Sequence, residues 1–113
     1  MRANDTVMVL DREQLREVTL EDEELMRQLL DALIEDTEKQ IPLLERAIRG
    51  LDAPQAARVA HYCKGACANV GARAAAAVLE RIERQAAHGS LEECSAQLAI
   101  LAAEVDRLRA ETI

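Results

Sequence analysis

The fold is decided by residues 19–51, with the sequence TLEDEELMRQLLDALIEDTEKQIPLLERAIRGL. Side chains suited to a core recur in this stretch at spacings of three and four residues, the period of one face of an α-helix. These positions are Met26, Leu30, Leu33, Thr37, Ile41, Leu44, Ile48 and Leu51. Pro42 removes a backbone donor, but the stripe keeps its phase across it, which favours one kinked helix over two separate ones. The stretch therefore predicts a single long amphipathic helix.

Capping signals divide the rest of the chain into further helices. Asp11, Thr19, Asp52 and Ser90 can accept hydrogen bonds from the first turn of a helix, and Gly71 can end one in the left-handed conformation. The predicted helices span about residues 12–18, 20–49, 54–70, 72–87 and 91–111, after a lead-in at 1–9. Long helices with short connections predict an all-α fold, an antiparallel four-helix bundle with a short additional N-terminal helix. We expect residues 1–113 to form a single domain.

The composition agrees with this fold and excludes several function classes. One aromatic residue, four Gly and two Pro among 113 residues are too few for a β-sandwich or barrel, which needs a turn about every 8–12 residues. A formal net charge of −7 argues against nucleic acid and anionic membranes as partners, because both require a basic face. No apolar run approaches the roughly 20 residues of a membrane span. Three cysteines without an export signal favour reduced thiols and a cytoplasmic protein.

The helix predicted over residues 54–70 has an unusual exposed face. At about 100° per residue, the arc opposite His61 holds only apolar or small side chains. They are Ala56, Val59, Ala60, Cys63, Ala66, Cys67 and Val70. His61 is therefore predicted to point into solvent, beside Ala57, Lys64, Gly65 and Ala68. Solvated helix faces normally carry long polar side chains, and a glycine in mid-helix costs about 1 kcal/mol relative to alanine.

This face suits a histidine that carries a phosphoryl group. A neutral imidazole is a nucleophile at physiological pH. Small neighbours let a second macromolecule bring its reactive group to the ring, and Lys64 can contact the anion that forms there. The same geometry also fits an ordinary surface histidine beside a glycine without function.

Residues 61–72, HYCKGACANVGA, resemble the signature of histidine-containing phosphotransfer (HPt) domains. The family pattern is His, two residues, Lys-Gly, a stretch of small residues, and then Asn, an apolar residue and Gly-Ala. The preceding Ala60 also matches, and the long preceding helix, the two following helices and the total length agree with the family's bundle. Two positions depart from the pattern, since the family usually has Leu where Cys63 stands and a small hydroxyl residue where Tyr62 stands.

The resemblance implies a role for each matching residue. It implies that His61 accepts a phosphoryl group from an aspartyl phosphate on a response-regulator receiver domain and passes it to another receiver, in a multistep phosphorelay. Lys64 is expected to hold the phosphoryl oxygens, and Gly65 to leave room for the receiver. The positions matched by Asn69, Gly71 and Ala72 are expected to be structural, at the end of the helix.

The expected partners are receiver domains and a hybrid sensor histidine kinase. The chain has no phosphate-binding loop of the Gly-x-x-x-x-Gly-Lys type, so we expect a phosphoryl carrier without kinase or ATPase activity. No cofactor is expected on this chain, and the divalent metal is expected on the receiver. The docking surface is predicted around His61 and on the neighbouring part of the long helix. Its predicted residues are Ala57, Arg58, Tyr62, Ala68, Ile34, Thr37, Glu38 and Ile41.

Two alternatives belong to other classes. A non-catalytic helical adaptor, or a pseudo-phosphotransfer domain that docks a receiver or kinase without transfer, would have the same bundle, although the presence of His61 and Lys64 argues against it. A metal site could combine Cys63 and Cys67 with His61 or His88. It is disfavoured because His61 lies roughly 120° or more around the helix from both thiols, and no metal is expected.

Overall fold

The computed structural model describes residues 7–111, and every regular element in that range is an α-helix. The helices are α1 (Arg12–Val18), α2 (Glu23–Arg49), α3 (Ala53–Val70), α4 (Arg73–Ala87) and α5 (Leu91–Ala110). Helices α2 and α4 each pack against both α3 and α5. Short loops connect α2 to α3, α3 to α4 and α4 to α5. Each of these helices therefore runs opposite to the one before it. The predicted all-α bundle with a short additional N-terminal helix is confirmed. No helix in the described range is long and apolar enough to cross a membrane.

Helix α2 begins three residues later than the sequence predicts. Its N-cap is Asp22, whose carboxylate accepts a hydrogen bond from the amide three residues on, at 3.1 Å. Thr19, the predicted cap, is buried at the end of α1 and donates its hydroxyl to the Leu15 carbonyl at 2.7 Å. Leu20 and Glu21 connect the helices with φ angles of 53° and 62°. The prediction for Thr19 is wrong because its hydroxyl satisfies the preceding helix instead of opening the next.

The other helix ends show which capping signals were specific. Helix α2 continues through Pro42 as one helix. The N-cap of α3 is Asp52, as predicted, and its side chain accepts a hydrogen bond from the amide three residues on at 3.1 Å. Gly71 ends α3 in the left-handed conformation, with φ 97°. Ser90 occupies the N-cap position of α5 as predicted, but its side chain makes no cap hydrogen bond. Helix α5 ends at Ala110, one residue before the predicted end.

The core lies between α2, α3, α4 and α5 and is built from aliphatic side chains, alanines and cysteines. Cys63, Cys67 and Cys94 are all buried free thiols. Burial raises the pKa of the Cys63 thiol to about 12 and that of Cys67 to about 11. These thiols are therefore neutral at physiological pH and pack as small apolar side chains. Of the predicted lead-in, residues 1–6 lie outside the described range, and Val9 packs against the core.

Helix α1 packs against the C-terminal end of α3. The backbone amide of Asp11 donates to the Gly71 carbonyl at 2.8 Å. The Gln14 side-chain amide donates to the carbonyls of Ala68 and Asn69 at 2.6 and 3.2 Å. A Cβ at Gly71 would lie 2.8 Å from the Asp11 carbonyl oxygen. Both the positive φ and the close approach of α1 require glycine at this position, which gives the end of the 61–72 motif a structural role.

Candidate functional site

Helix α3 presents His61 to solvent, on the face predicted by helical rotation. The His61 side chain is 69% exposed, whereas Cys63 and Cys67 are buried. The imidazole Nδ1 lies 2.9 Å from Oε2 of Glu83 on α4. An ionised carboxylate only accepts hydrogen bonds, so Nδ1 carries the hydrogen in this contact and Nε2 keeps the lone pair of the neutral ring. Nε2 is therefore the ring nitrogen available to a partner.

Glu83 joins the histidine to the lysine of the motif. Its Oε2 contacts His61, and its Oε1 forms an ion pair with the Lys64 ammonium at 2.7 Å. Hydrogen bonding to Lys64 holds the pKa of Glu83 below its ordinary value, against the opposing effect of burial. In return, Glu83 is the main cause of a raised pKa at Lys64. The site therefore has the His61 ring and the Lys64 ammonium on either side of one carboxylate.

A second carboxylate, Glu80, contacts the same ammonium. Its Oε2 lies 3.4 Å from Lys64 Nζ, and its Oε1 lies 3.6 Å from the Arg84 guanidinium. The Lys64 side chain is only 26% exposed, because it extends across α3 toward these two residues of α4. Lys64 is thus next to His61 as predicted, but its contact with His61 runs through Glu83.

The sequence analysis did not identify Glu80 or Glu83. Their spacing of three residues puts them on one face of the Ala-rich helix, and this pattern was the available signal. Which neighbour that face meets depends on the rotation of α4 against α3, and periodicity within one helix does not determine that rotation.

Gly65 lies in open space beside His61. It is exposed, and a Cβ built on it would meet no heavy atom of the described chain within 4 Å. Packing within the described residues therefore gives no reason for a glycine here, despite its cost of about 1 kcal/mol in a helix. Ala68 is exposed and Ala57 is half-buried, so only small side chains flank the imidazole on these sides.

The structure separates the predicted docking residues into two groups. On α3, Arg58, Tyr62 and Ala68 are exposed, and Ala57 is half-buried. Tyr62 is 55% exposed, and its hydroxyl donates to the Asp36 carboxylate of α2 at 2.9 Å, which raises the pKa of Tyr62. These residues share the surface of α3 with His61.

The predicted docking residues on α2 do not share the exposed surface of α3 with His61. Ile34 and Thr37 are 8% and 3% exposed, so their assignment to a docking surface is wrong. Both lie on the stripe that packs α2 into the core, where the Thr37 hydroxyl is 4.0 Å from Cys67 Sγ. Glu38 is exposed but pairs with Arg109 of α5. Ile41 is half-buried and lines a groove between α2 and α5, so neither faces α3.

The fold and the site together define a class of protein. It is a helical bundle that presents one histidine on an open helix surface, where another macromolecule can reach the ring. The model of the Hpt domain family matches residues 28–111, and the chain belongs to that family. Hpt domains are phosphocarrier modules that act in phosphorelays with receiver domains and kinases, and they are not kinases themselves. This confirms the family that the 61–72 motif indicates.

A solved structure shows the same fold. The crystal structure of histidine-containing phosphotransfer protein B (HptB) from Pseudomonas aeruginosa PAO1 matches with a TM-score of 0.83 and 27% sequence identity. The match covers 90% of this chain and 89% of that chain. A comparison with curated proteins returned no match. The likeness to HptB therefore extends over most of the bundle.

Proposed function

We propose that this protein accepts a phosphoryl group on Nε2 of His61 from an aspartyl phosphate of a receiver domain and passes it to another receiver. The observation that carries the proposal is the exposed His61 ring, whose Nδ1 is held by Glu83 while Glu83 also holds Lys64. This arrangement leaves Nε2 accessible, with a cation bound to the same carboxylate as the ring. Membership of the Hpt domain family supports the same chemistry.

The transfer step follows from the tautomer. The Nε2 lone pair attacks the phosphorus of the aspartyl phosphate, and an N–P bond forms while the P–O bond to the aspartate breaks. The aspartate carboxylate leaves with the electron pair. The hydrogen on Nδ1 stays in its contact with Glu83, whose negative charge offsets the positive charge that the ring gains. The same events in reverse, with a second receiver, discharge the histidine.

The remaining residues of the site position the partners, since phosphoryl transfer depends mainly on alignment and charge stabilisation. Lys64 supplies a cation for the phosphoryl oxygens, and Gly65 leaves space for the receiver. We propose that the receiver docks over Arg58, Tyr62 and Ala68 with the edge of Ala57. The acceptor aspartate and the divalent metal belong to the receiver, and this chain needs no cofactor of its own. The hybrid kinase as a partner and the cytoplasmic location stay predictions.

The test is phosphorylation of the full chain by a panel of phosphorylated receiver domains. We expect an acid-labile, alkali-stable phosphoryl group on the wild-type chain and none on His61→Gln. The matched control is His88→Gln, which removes the other histidine, at the end of α4, and should be labelled like the unmodified chain. Equal labelling of His61→Gln, or no labelling by any receiver, would overturn the proposal. Binding of a receiver without labelling would instead favour a non-catalytic adaptor.

A further inference from the structure

We propose that Glu80 is a positioning residue that competes with the phosphoryl group for Lys64 and so sets how strongly His61 retains the phosphoryl group. The inference rests on the proposed function, because it concerns the phosphorylated form of His61. It goes further by assigning regulation of the site to a carboxylate outside the 61–72 motif. Three observations carry it: the two contacts of Lys64, the different roles of the two glutamates, and the charge balance of the cluster.

The contacts show that the ammonium is already occupied in the unphosphorylated protein. Lys64 Nζ lies 2.7 Å from Glu83 Oε1 and 3.4 Å from Glu80 Oε2. An ammonium has three N–H donors, so these two contacts leave one, but the two carboxylates already offset its positive charge. A phosphoryl group on Nε2 of His61 therefore competes with both carboxylates for the charge of Lys64.

The two glutamates differ in what else they hold. Glu83 contacts both Lys64 and His61, so weakening its contacts would also release the ring. Glu80 contacts Lys64 at the longer distance and has a guanidinium partner in Arg84 at 3.6 Å. It is also the more exposed of the two carboxylates. Glu80 is thus the contact that Lys64 exchanges for the phosphoryl group, and Arg84 remains to pair with the released carboxylate.

The charge balance makes this exchange measurable. One ammonium faces two carboxylates before loading, and a phosphoryl group adds about −1.5 to −2 charges at neutral pH. Without the Glu80 charge, Lys64 is more available to the phosphoryl oxygens. From the usual strength of exposed ion pairs, the equilibrium between the receiver aspartate and His61 should shift toward phospho-His61 by about two- to fivefold.

The experiment measures that equilibrium for Glu80→Gln and the unmodified chain, each mixed as the full chain with a phosphorylated receiver domain. The matched control is Glu45→Gln, which removes an exposed carboxylate paired with Arg49 on α2 and changes the net charge equally. A second pair, Lys64→Ala with and without Glu80→Gln, tests whether the effect runs through the ammonium. Thermal unfolding of each variant verifies that the fold is intact.

The expected result is an equilibrium shifted toward phospho-His61 in Glu80→Gln, no shift in Glu45→Gln, and a much smaller shift in the Lys64→Ala background. An unchanged equilibrium in Glu80→Gln would overturn this inference alone. An equal shift in Glu45→Gln, or an undiminished shift without Lys64, would also overturn it, because net charge or direct repulsion would then explain the data. Failure of the unmodified chain to become phosphorylated would overturn the proposed function and this inference together.

Discussion

Gly65 lies within α3 and Gly71 caps its C-terminal end. Both belong to the same sequence motif, but their structural situations are opposite. At Gly71 the backbone takes φ 97°, and a Cβ would lie 2.8 Å from the Asp11 carbonyl oxygen. At Gly65 the backbone is helical, and a Cβ would meet nothing within 4 Å in the described chain. One glycine is required by the fold. The other has no packing reason within the described residues, and we propose that it leaves room for the receiver.

The surroundings of the two glycines differ in the same way. The end of α3 near Gly71 is held by hydrogen bonds from α1, through Asp11 and Gln14. The middle of α3 near Gly65 is joined to α4 by charged side chains at the surface. Backbone contacts of the first kind determine stability, whereas surface charges contribute little to stability and can act on a bound group. Substitutions in the two regions should therefore separate transfer from folding.

Gly65→Gln should produce the largest effect, on transfer alone. A long side chain beside His61 would displace the receiver from the ring, and misplacement of this kind costs about a hundredfold in rate. The free energy of unfolding should stay the same or rise by up to about 1 kcal/mol, because glycine is a poor helix former. Transfer kinetics from a phosphorylated receiver and urea denaturation measure the two quantities. Unimpaired transfer would remove the distinction between the two glycines.

Gly71→Ala should have the opposite result. The positive φ and the contact with Asp11 should lower the free energy of unfolding by about 1–3 kcal/mol, while transfer per folded molecule stays unchanged. Gly89→Ala is the matched control, because Gly89 has φ 77° with nothing within 4 Å of the added Cβ. Urea denaturation should show a smaller loss for Gly89→Ala. Equal losses would mean that the approach of α1 contributes nothing.

The sequence predicted the elements of the fold because each signal was local. The stripe of α2, the Asp11 and Asp52 caps and the left-handed Gly71 depend on residues within one or two turns. The prediction for Thr19 failed because its hydroxyl could bind either the end of α1 or the start of α2. The tertiary arrangement favours α1, where the hydroxyl donates to the Leu15 carbonyl.

The candidate site was predicted only where a single helix defines it. Rotation about α3 placed His61 outside and Cys63 inside, in agreement with the structure. The docking residues on α2 and the carboxylate partner of His61 required the rotation of neighbouring helices, which no pattern in α3 contains. Ile34 and Thr37 were therefore assigned to the wrong environment, and Glu83 was missed.

Gln14→Ala tests a single contact of the Gly71 region. The Gln14 side-chain amide bonds the carbonyls of Ala68 and Asn69 at the end of α3, and its loss should lower the free energy of unfolding by about 1 kcal/mol. Transfer should not change, although Ala68 lies on the exposed face near His61. Gln28→Ala is the control, because Gln28 donates to an exposed glutamate of its own helix and its loss should change stability very little. A transfer defect in Gln14→Ala would show that the two regions are coupled.

Glu83→Gln should have the smallest effect on stability, and a pH-dependent one. Lys64 holds the folded-state pKa of Glu83 below its ordinary value of 4.5, so the ionised carboxylate favours the folded state. That stabilisation is complete above about pH 4.5 and is lost as the pH falls through the lower, folded-state pKa. Because the pair is near the surface, Glu83→Gln should cost only about 0.5 kcal/mol at pH 7. Urea denaturation from pH 7 into acid should show this difference decreasing as the pH falls below about 4.5. A difference that does not decrease in acid would mean that packing, not charge, links the Gly65 region to α4.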